Sequence, residues 1–395
     1  MATLKTNILG IEFENPFILA SAPPTALVPS IEKAFEMGWG GAVLKTIHPD
    51  SMSIDDVSPR YEVIRSAKGE ITGFQNIELL SHQTVRYWCD GIKYLKEKYP
   101  EKVIIASIMA PVKKEEWQKL VKTLNNTPID AFELNFSCPH GMPERNIGMA
   151  IGTSTDLSIL ITCWVKAVAK KPVFVKLTPN VTDISVMAKC VASAGADGIS
   201  EINTVLGFMG VDLDSLTPKL SVNGYSAFGG CSGEMVKPIG LRSTAMIRQA
   251  LDLPILGMGG ISTWQDAAEY ISLGANAVEI CTSVMLNGYG IIKSLKKGLL
   301  EYLESKGFDS PNELKGKALN RIVDHKALDR NYKLIPTFDG SKCVLCGKCL
   351  TICDESEHQA ISLDKDKMVV SKENCVGCSL CHLVCPKGAI TMVQR

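Results

Sequence analysis

Eight of the chain's 14 cysteines fall within its last 53 residues, in two copies of one spacing. The first run is Cys343-x-x-Cys346-x-x-Cys349-x-x-x-Cys353 and the second is Cys375-x-x-Cys378-x-x-Cys381-x-x-x-Cys385, followed by Pro386. Three closely spaced cysteines plus a fourth is the spacing of modules that hold two [4Fe–4S] clusters, in which the fourth cysteine of each run serves the other cluster. The expected ligand sets are therefore Cys343, Cys346, Cys349 and Cys385 for one cluster, and Cys375, Cys378, Cys381 and Cys353 for the other. Asp354 stands where proline is usual, a position that supplies no ligand. Zinc ribbons or a disulfide framework are the alternatives, but zinc sites usually show two Cys-x-x-Cys pairs. Such a module moves electrons singly. Its thiolates need a reducing compartment, which makes the cytoplasm the expected location.

The remainder of the 395 residues suffices for one large domain. Lys plus Arg (42) equals Asp plus Glu (42), so no net field favours nucleic acid or an anionic membrane as partner. No apolar run is long enough to span a bilayer; the greasiest stretch, 159–168, is interrupted by Lys166. The apolar core of 16–22 is too short for a signal peptide.

From residue 16 to about 307, short apolar runs alternate with amphipathic segments, the pattern of a parallel α/β fold. Eight runs read as strands buried on both faces: 16–22, 41–47, 103–108, 131–138, 172–178, 198–204, 254–260 and 277–284. Helical segments lie between them, among them 30–37, 81–99, 183–194 and 263–273. Gly38, Gly195 and Gly274 suit helix C-caps. Eight βα units in this length predict a TIM (β/α)8 barrel over 1–310. Residues 4–13, with Gly10 at the centre, predict a hairpin plugging its lower end. A polar linker is expected over 311–338 and a ferredoxin-like domain over 339–395. In that domain Ala360-Ile361 and Ala389-Ile390 each begin a short strand.

A TIM barrel works at the C-terminal ends of its strands, and polar residues gather there: Lys45-Thr46, Asn135, Ser137, Cys138, Lys176 and Asn203-Thr204. Amides and cations on apolar strands are costly without partners, so together they predict a ligand at the barrel mouth. Gly257-Met258-Gly259-Gly260 precedes a helix starting near Ser262-Thr263, and Cys281-Thr282-Ser283 ends the last strand; loops after strands 7 and 8 are the usual phosphate site. A flavin phosphate fits, because a flavin converts one-electron traffic into two-electron chemistry. No G-x-G-x-x-G follows a strand, so no nicotinamide site is expected on this chain. Cys138 opens a long polar loop with Gly141, Pro143 and Gly148. Cys89, Cys163 and Cys190 fall within helices and read as core residues.

Asn135-Phe136-Ser137-Cys138-Pro139-His140-Gly141, Lys176-Leu177-Thr178-Pro179-Asn180, Asn203-Thr204, Gly229-Gly230-Cys231-Ser232-Gly233 and the doubled cluster motif resemble the dihydropyrimidine dehydrogenase family over nearly the whole chain. Lys45-Thr46, Val57-Ser58-Pro59-Arg60 and Gly73-Phe74-Gln75-Asn76 match it too. The resemblance implies reduction of the C5=C6 bond of uracil or thymine, with hydride from FMN to C6 and a proton from Cys138 to C5. It implies that Asn76, Asn135, Phe136, Ser137, Asn203 and Thr204 hold the pyrimidine, and that Lys176 stabilises the reduced flavin. Ser21, Lys45, Thr46, Gly233, Gly259, Gly260, Cys281 and Thr282 complete the implied FMN site, and His140 assists proton delivery or is merely solvated. Pro143 stands where the animal enzymes have glycine. Their FAD- and NADPH-binding half has no counterpart here, which implies a hetero-oligomer with an FAD- and NAD(P)H-binding partner subunit.

Two other functions compete. A class 1 dihydroorotate dehydrogenase shares the barrel and the cysteine, although such enzymes mostly lack a ferredoxin tail. A non-catalytic electron-transfer protein, its barrel a docking scaffold, would not need the polar set at the strand ends.

Overall fold

A computed structural model describes residues 2–138 and 147–395 of the chain, which form two compact units, 1–321 and 322–395. The expected strands form a closed, wholly parallel barrel. They are β1 (Phe17–Leu19), β2 (Gly41–Val43), β3 (Val103–Ile108), β4 (Ala131–Asn135), β5 (Val173–Lys176), β6 (Gly198–Glu201), β7 (Ile255–Met258) and β8 (Ala277–Ile280). Neighbours in sequence pair in space, and β8 closes on β1 through Val278↔Phe17 and Ile280↔Leu19. Most observed strands end before the apolar runs do. Residues such as Lys45, Ser137 and Asn203 leave the ladder there and turn their side chains to other partners.

Eight helices follow the strands: α1 (Val28–Met37), α2 (Val85–Lys98), α3 (Lys114–Leu124), α4 (Thr155–Lys166), α5 (Ile184–Ser193), α6 (Lys237–Ala250), α7 (Trp264–Ser272) and α8 (Ile292–Lys306). Their starts follow local chemistry: Thr84, Ser154, Asp183 and Thr263 each accept a backbone N–H from the first turn. Gly38 ends α1 in the left-handed region. Trp39, Trp88 and Trp117 are buried in the large apolar layer between helices and barrel. Thr6–Ile8 and Ile11–Phe13 form the expected hairpin, and Ile8 and Phe13 pack on Val103, Ala131, Phe174 and Leu256 at the barrel's lower end. Cys89 and Cys190 are only half-buried and Cys163 is exposed, correcting their assignment to the core. They lie on the flanks of amphipathic helices.

Two excursions from the barrel build a second sheet. Tyr61–Arg65 and Ile71–Asn76 leave after β2; Val205–Gly207 and Gly229–Gly233 leave after β6. They pair antiparallel, with Asn76 opposite Gly230 and Gly73 opposite Gly233. Gly233 adopts φ 103°, and a Cβ there would lie 2.2 Å from Thr72 O, so only glycine lets the two excursions approach.

Composition overstates the linker. Pro311–Leu314 buries Pro311 and Leu314 on the barrel unit, and Gly316 and Ala318 donate to Ile271 O and Ser272 O. Leu334–Phe338 is already a strand of the second unit, paired with Ile390–Gln394. Only 320–333 is exposed throughout. Ile361–Asp364 pairs with Lys367–Val370, so both Ala-Ile pairs do lead into strands.

Candidate active site

Seven of the eight strand ends open onto one cavity, about 1100 Å³ of empty space with its open mouth included. Its lining includes Ser21, Lys45, Thr46, Asn76, Asn135, Cys138, Lys176, Asn203, Thr204, Gly233, Gly259, Gly260, Cys281 and Thr282, all expected from sequence. A hydrogen-bonded chain crosses the mouth. The Ser21 and Thr46 hydroxyls are 3.2 Å apart, and Asn135 Nδ2 donates to Thr46 Oγ1 at 2.9 Å. The Ser137 hydroxyl donates to Asn135 Oδ1 at 3.1 Å and accepts from Asn203 Nδ2 at 2.9 Å. Ser137 thus lies behind the amides and positions them. Phe136 is a correction: it is fully buried, edge-on to Trp117 with ring centroids 6.0 Å apart, and does not face the cavity. Two residues after Leu134 in an extended segment, it falls on the helix-facing side. His140 and Pro143 lie outside the described residues.

Cys138 is buried among Leu80, Met109 and Ile147. Its carbonyl accepts from Met149 N at 2.9 Å, so the chain re-enters directly against it. Gly148 makes that possible: at φ 64°, a Cβ would stand 2.7 Å from Cys138 O and 3.1 Å from Cys138 Cβ. Gly148→Ala should therefore displace the thiol, at a cost on the order of 1–3 kcal/mol from backbone strain. The expected outcome is a lower kcat with bound flavin retained, read by turnover and flavin absorbance.

The second sheet adds lining residues that the sequence reading missed: Tyr61, Phe74, Glu78, Cys231 and Ser232. Glu78 accepts from Lys45 Nζ at 3.1 Å and pairs with Arg60 Nε at 3.3 Å. Lys45 and Lys176 are the only cationic side chains lining the cavity among the described residues. Burial, followed by Glu78, holds the Tyr61 hydroxyl far above its usual range. Burial pushes the Cys281 thiol up to about 11, so it remains a neutral wall of the cavity at ordinary pH.

At the ends of β7 and β8, the N–H groups of Gly259, Gly260 and Ile261 have no protein acceptor among the described residues. The turn is pinned from behind by the Tyr270 hydroxyl, 2.7 Å from Gly259 O. The N-terminus of α7 offers less than expected, because Asp266 already accepts from Ser262 N and Thr263 N. Turn amides, with the Thr282 and Ser283 hydroxyls, make a donor set that fits a phosphate, and the apolar and amide walls fit a planar heterocycle.

In the second unit each cysteine set surrounds its own cavity of about 350 Å³. One is lined by Cys343, Cys346, Cys349 and Cys385, the other by Cys353, Cys375, Cys378 and Cys381. Each takes three cysteines from one run and the fourth from the other. Ala389 N donates to Cys385 Sγ at 3.2 Å and Ala360 N to Cys353 Sγ at 3.3 Å. Four cysteines lining one apolar cavity, with N–H···S bonds to one of them, fit a cubane cluster.

The family model for dihydroorotate dehydrogenase matches residues 3–303, three quarters of the chain. The chain belongs to the dihydroorotate dehydrogenase family. A 4Fe-4S dicluster domain model matches residues 337–392. The NAD-dependent dihydropyrimidine dehydrogenase subunit PreA of Escherichia coli (strain K12) is 38% identical over 394 residues, 98% of this chain and 95% of its own. The chloroplastic dihydropyrimidine dehydrogenase (NADP(+)) of Arabidopsis thaliana is 38% identical over 341 residues, 84% of this chain and 80% of its own. The dihydroorotate dehydrogenase B (NAD(+)) catalytic subunit of Pyrococcus abyssi is 37% identical over 317 residues, 80% of this chain and 99% of its own. The chain is thus an oxidoreductase of a flavin-dependent family, with an iron–sulfur domain and full-length likeness to a dihydropyrimidine dehydrogenase subunit. No described helix is long and apolar enough to cross a membrane.

Proposed function

We propose that this chain reduces the C5=C6 bond of a neutral pyrimidine base, uracil or thymine. Its electrons come from an FAD- and NAD(P)H-binding partner subunit through two [4Fe–4S] clusters to FMN at the barrel mouth. FMN, when bound, supplies the hydride that adds at C6. The chain's residues do the rest. Turn amides at Gly259–Ile261 hold the phosphate, and Lys176 stands against the ring system. Asn76, Asn135, Asn203 and Thr204 offer the amide and hydroxyl groups that the alternating C=O and N–H edge of a pyrimidine needs. Cys138 delivers the proton to C5.

The ion pair of Lys45 with Glu78 at 3.1 Å carries the choice of substrate. Orotate brings a carboxylate, and the cation that would meet it is already paired, while Glu78 itself repels it. Likeness over 98% of the chain to the Escherichia coli dihydropyrimidine dehydrogenase subunit supports the same reading. Anaerobically reduced protein mixed with uracil, thymine or orotate tests the reading by flavin reoxidation. The pyrimidine bases should reoxidise the flavin fastest; faster reoxidation by orotate overturns the proposal. Glu78→Gln releases Lys45 and should raise orotate binding relative to uracil, measured as the ratio of their inhibition constants.

A further inference from the structure

TIM-barrel interiors are ordinarily layers of branched apolar side chains. Here strands β4 and β8 each place a buried glutamate there, Glu133 and Glu279, and β6 carries a third, Glu201, on its helix-facing side. One Glu201 oxygen accepts from the Thr244 hydroxyl on α6. Neither oxygen of Glu133 or of Glu279 meets a hydrogen-bond donor in good geometry among the described residues. Their one counter-ion is Lys176 on β5, whose Nζ lies 3.9 Å from Glu133 Oε1 and 3.8 Å from Glu279 Oε2. Both Lys176 and Glu279 line the cavity. Two buried carboxylates thus face a single ammonium. With both ionised the set would hold an uncompensated negative charge in a site without water-like solvation, which is prohibitive. Two carboxyls that share such a site keep a proton.

We propose that Glu133 and Glu279 hold one proton between them beneath the cavity, and that this shared proton fixes how readily a flavin seated against Lys176 accepts electrons. The inference rests on the reading above only in placing a flavin there. The groups facing the pair are Lys176 from β5, Ser200 and, further off, Glu201 from β6, and Cys281 beyond β8. Burial first, then repulsion from Glu133, holds Glu279 well above the ordinary carboxyl range, with Lys176 opposing. Burial works against the Lys176 charge, but Glu133 and Glu279 more than offset it, so the ammonium persists. A raised carboxyl pKa means that the proton is held below that value and lost above it. With that proton held the set is neutral overall. Loss of the proton as pH rises leaves it negative and makes electron uptake harder.

The test uses the full chain with its clusters and flavin. Infrared spectroscopy reads protonated carboxyls, and a dye-coupled titration reads the flavin midpoint. Glu279→Gln should retain flavin, lose one protonated-carboxyl band and hold the neutral-pH midpoint, because Lys176 still faces one acidic partner, Glu133. Glu201→Gln identifies the band belonging to Glu201. The double variant Glu133→Gln/Glu279→Gln leaves Lys176 uncancelled and should shift the reduced-to-oxidised ratio at fixed potential tenfold or more, about 30 mV for two electrons. A tenfold shift in Glu279→Gln alone, or no band lost, overturns the proposal. If the variants fail to fold, the wild-type spectrum decides by itself: a carboxyl band assignable to neither surface groups nor Glu201 must persist after the surface carboxyls have ionised and disappear as pH rises further, and its absence sinks the idea. Failure of uracil as substrate leaves these readouts untouched, whereas failure to bind FMN overturns the functional reading.

Discussion

Cys138→Ala should reduce uracil about 10²–10⁴-fold more slowly than the unaltered chain while keeping its flavin, iron and substrate affinity, since one positioned general acid contributes about that much. The thiol is placed for this role by its packing. It faces the cavity from the end of β4, with Leu80, Met109 and Ile147 behind it and Gly148 pressed against its carbonyl. Removing Sγ leaves the amide row of Asn135, Ser137 and Asn203 in place, because those bonds do not pass through the thiol. Binding should therefore survive while proton transfer fails. Cys138→Ser should recover little, since a hydroxyl is a far weaker acid than a thiol. Steady-state turnover and pyrimidine binding measured on the same preparation separate the two effects. Unchanged turnover in Cys138→Ala would mean that the proton enters from elsewhere, with His140 the next residue to test.

Cys385→Ser should abolish partner-driven turnover by a different route. Cys385 lines the cavity of Cys343, Cys346 and Cys349, although it belongs to the second run. Its replacement should therefore remove or degrade the cluster of the first run and leave the cluster of Cys375, Cys378, Cys381 and Cys353 intact. Iron should fall by about half or less, depending on whether a three-iron remnant stays. The flavin should still be reducible by dithionite, and chemically reduced protein should still reoxidise with uracil. Damage confined to the cluster of the second run would refute the crossed arrangement.

The barrel was legible because parallel strands buried on both faces leave almost uninterrupted apolar runs, and because Thr84, Asp183, Thr263 and Gly38 mark helix ends chemically. Most of the mouth was legible too, since polar residues at the ends of apolar strands stand out. The second sheet was not. Gln75 and Cys231 face each other across more than 150 residues of chain, so nothing local joins the hairpin of Tyr61–Arg65 and Ile71–Asn76 to its partner Gly229–Gly233. Glu78 was lost with that sheet. Phe136 misled because a motif names neighbours in sequence, whereas extended backbone sends alternate residues to opposite faces. The buried glutamates were visible as letters, but nothing local to each strand shows that Glu133 and Glu279 meet over Lys176.

The cysteine sets are nested in the chain. Cys353, Cys375, Cys378 and Cys381 all lie within the 35 residues that separate Cys349 from Cys385. Closing the inner set draws together ends that are 21 residues apart at Cys353 and Cys375, and in doing so it shortens the remaining outer loop to a few residues on each side. Loop-closure entropy grows with the logarithm of length, so a cluster closing the inner set would supply most of the ordering that one in the outer set requires. Assembly is expected to run inner before outer, with the two sites differing in robustness. Losing an outer cysteine leaves the inner loop as it was, while losing an inner one obliges the outer set to close the long way round.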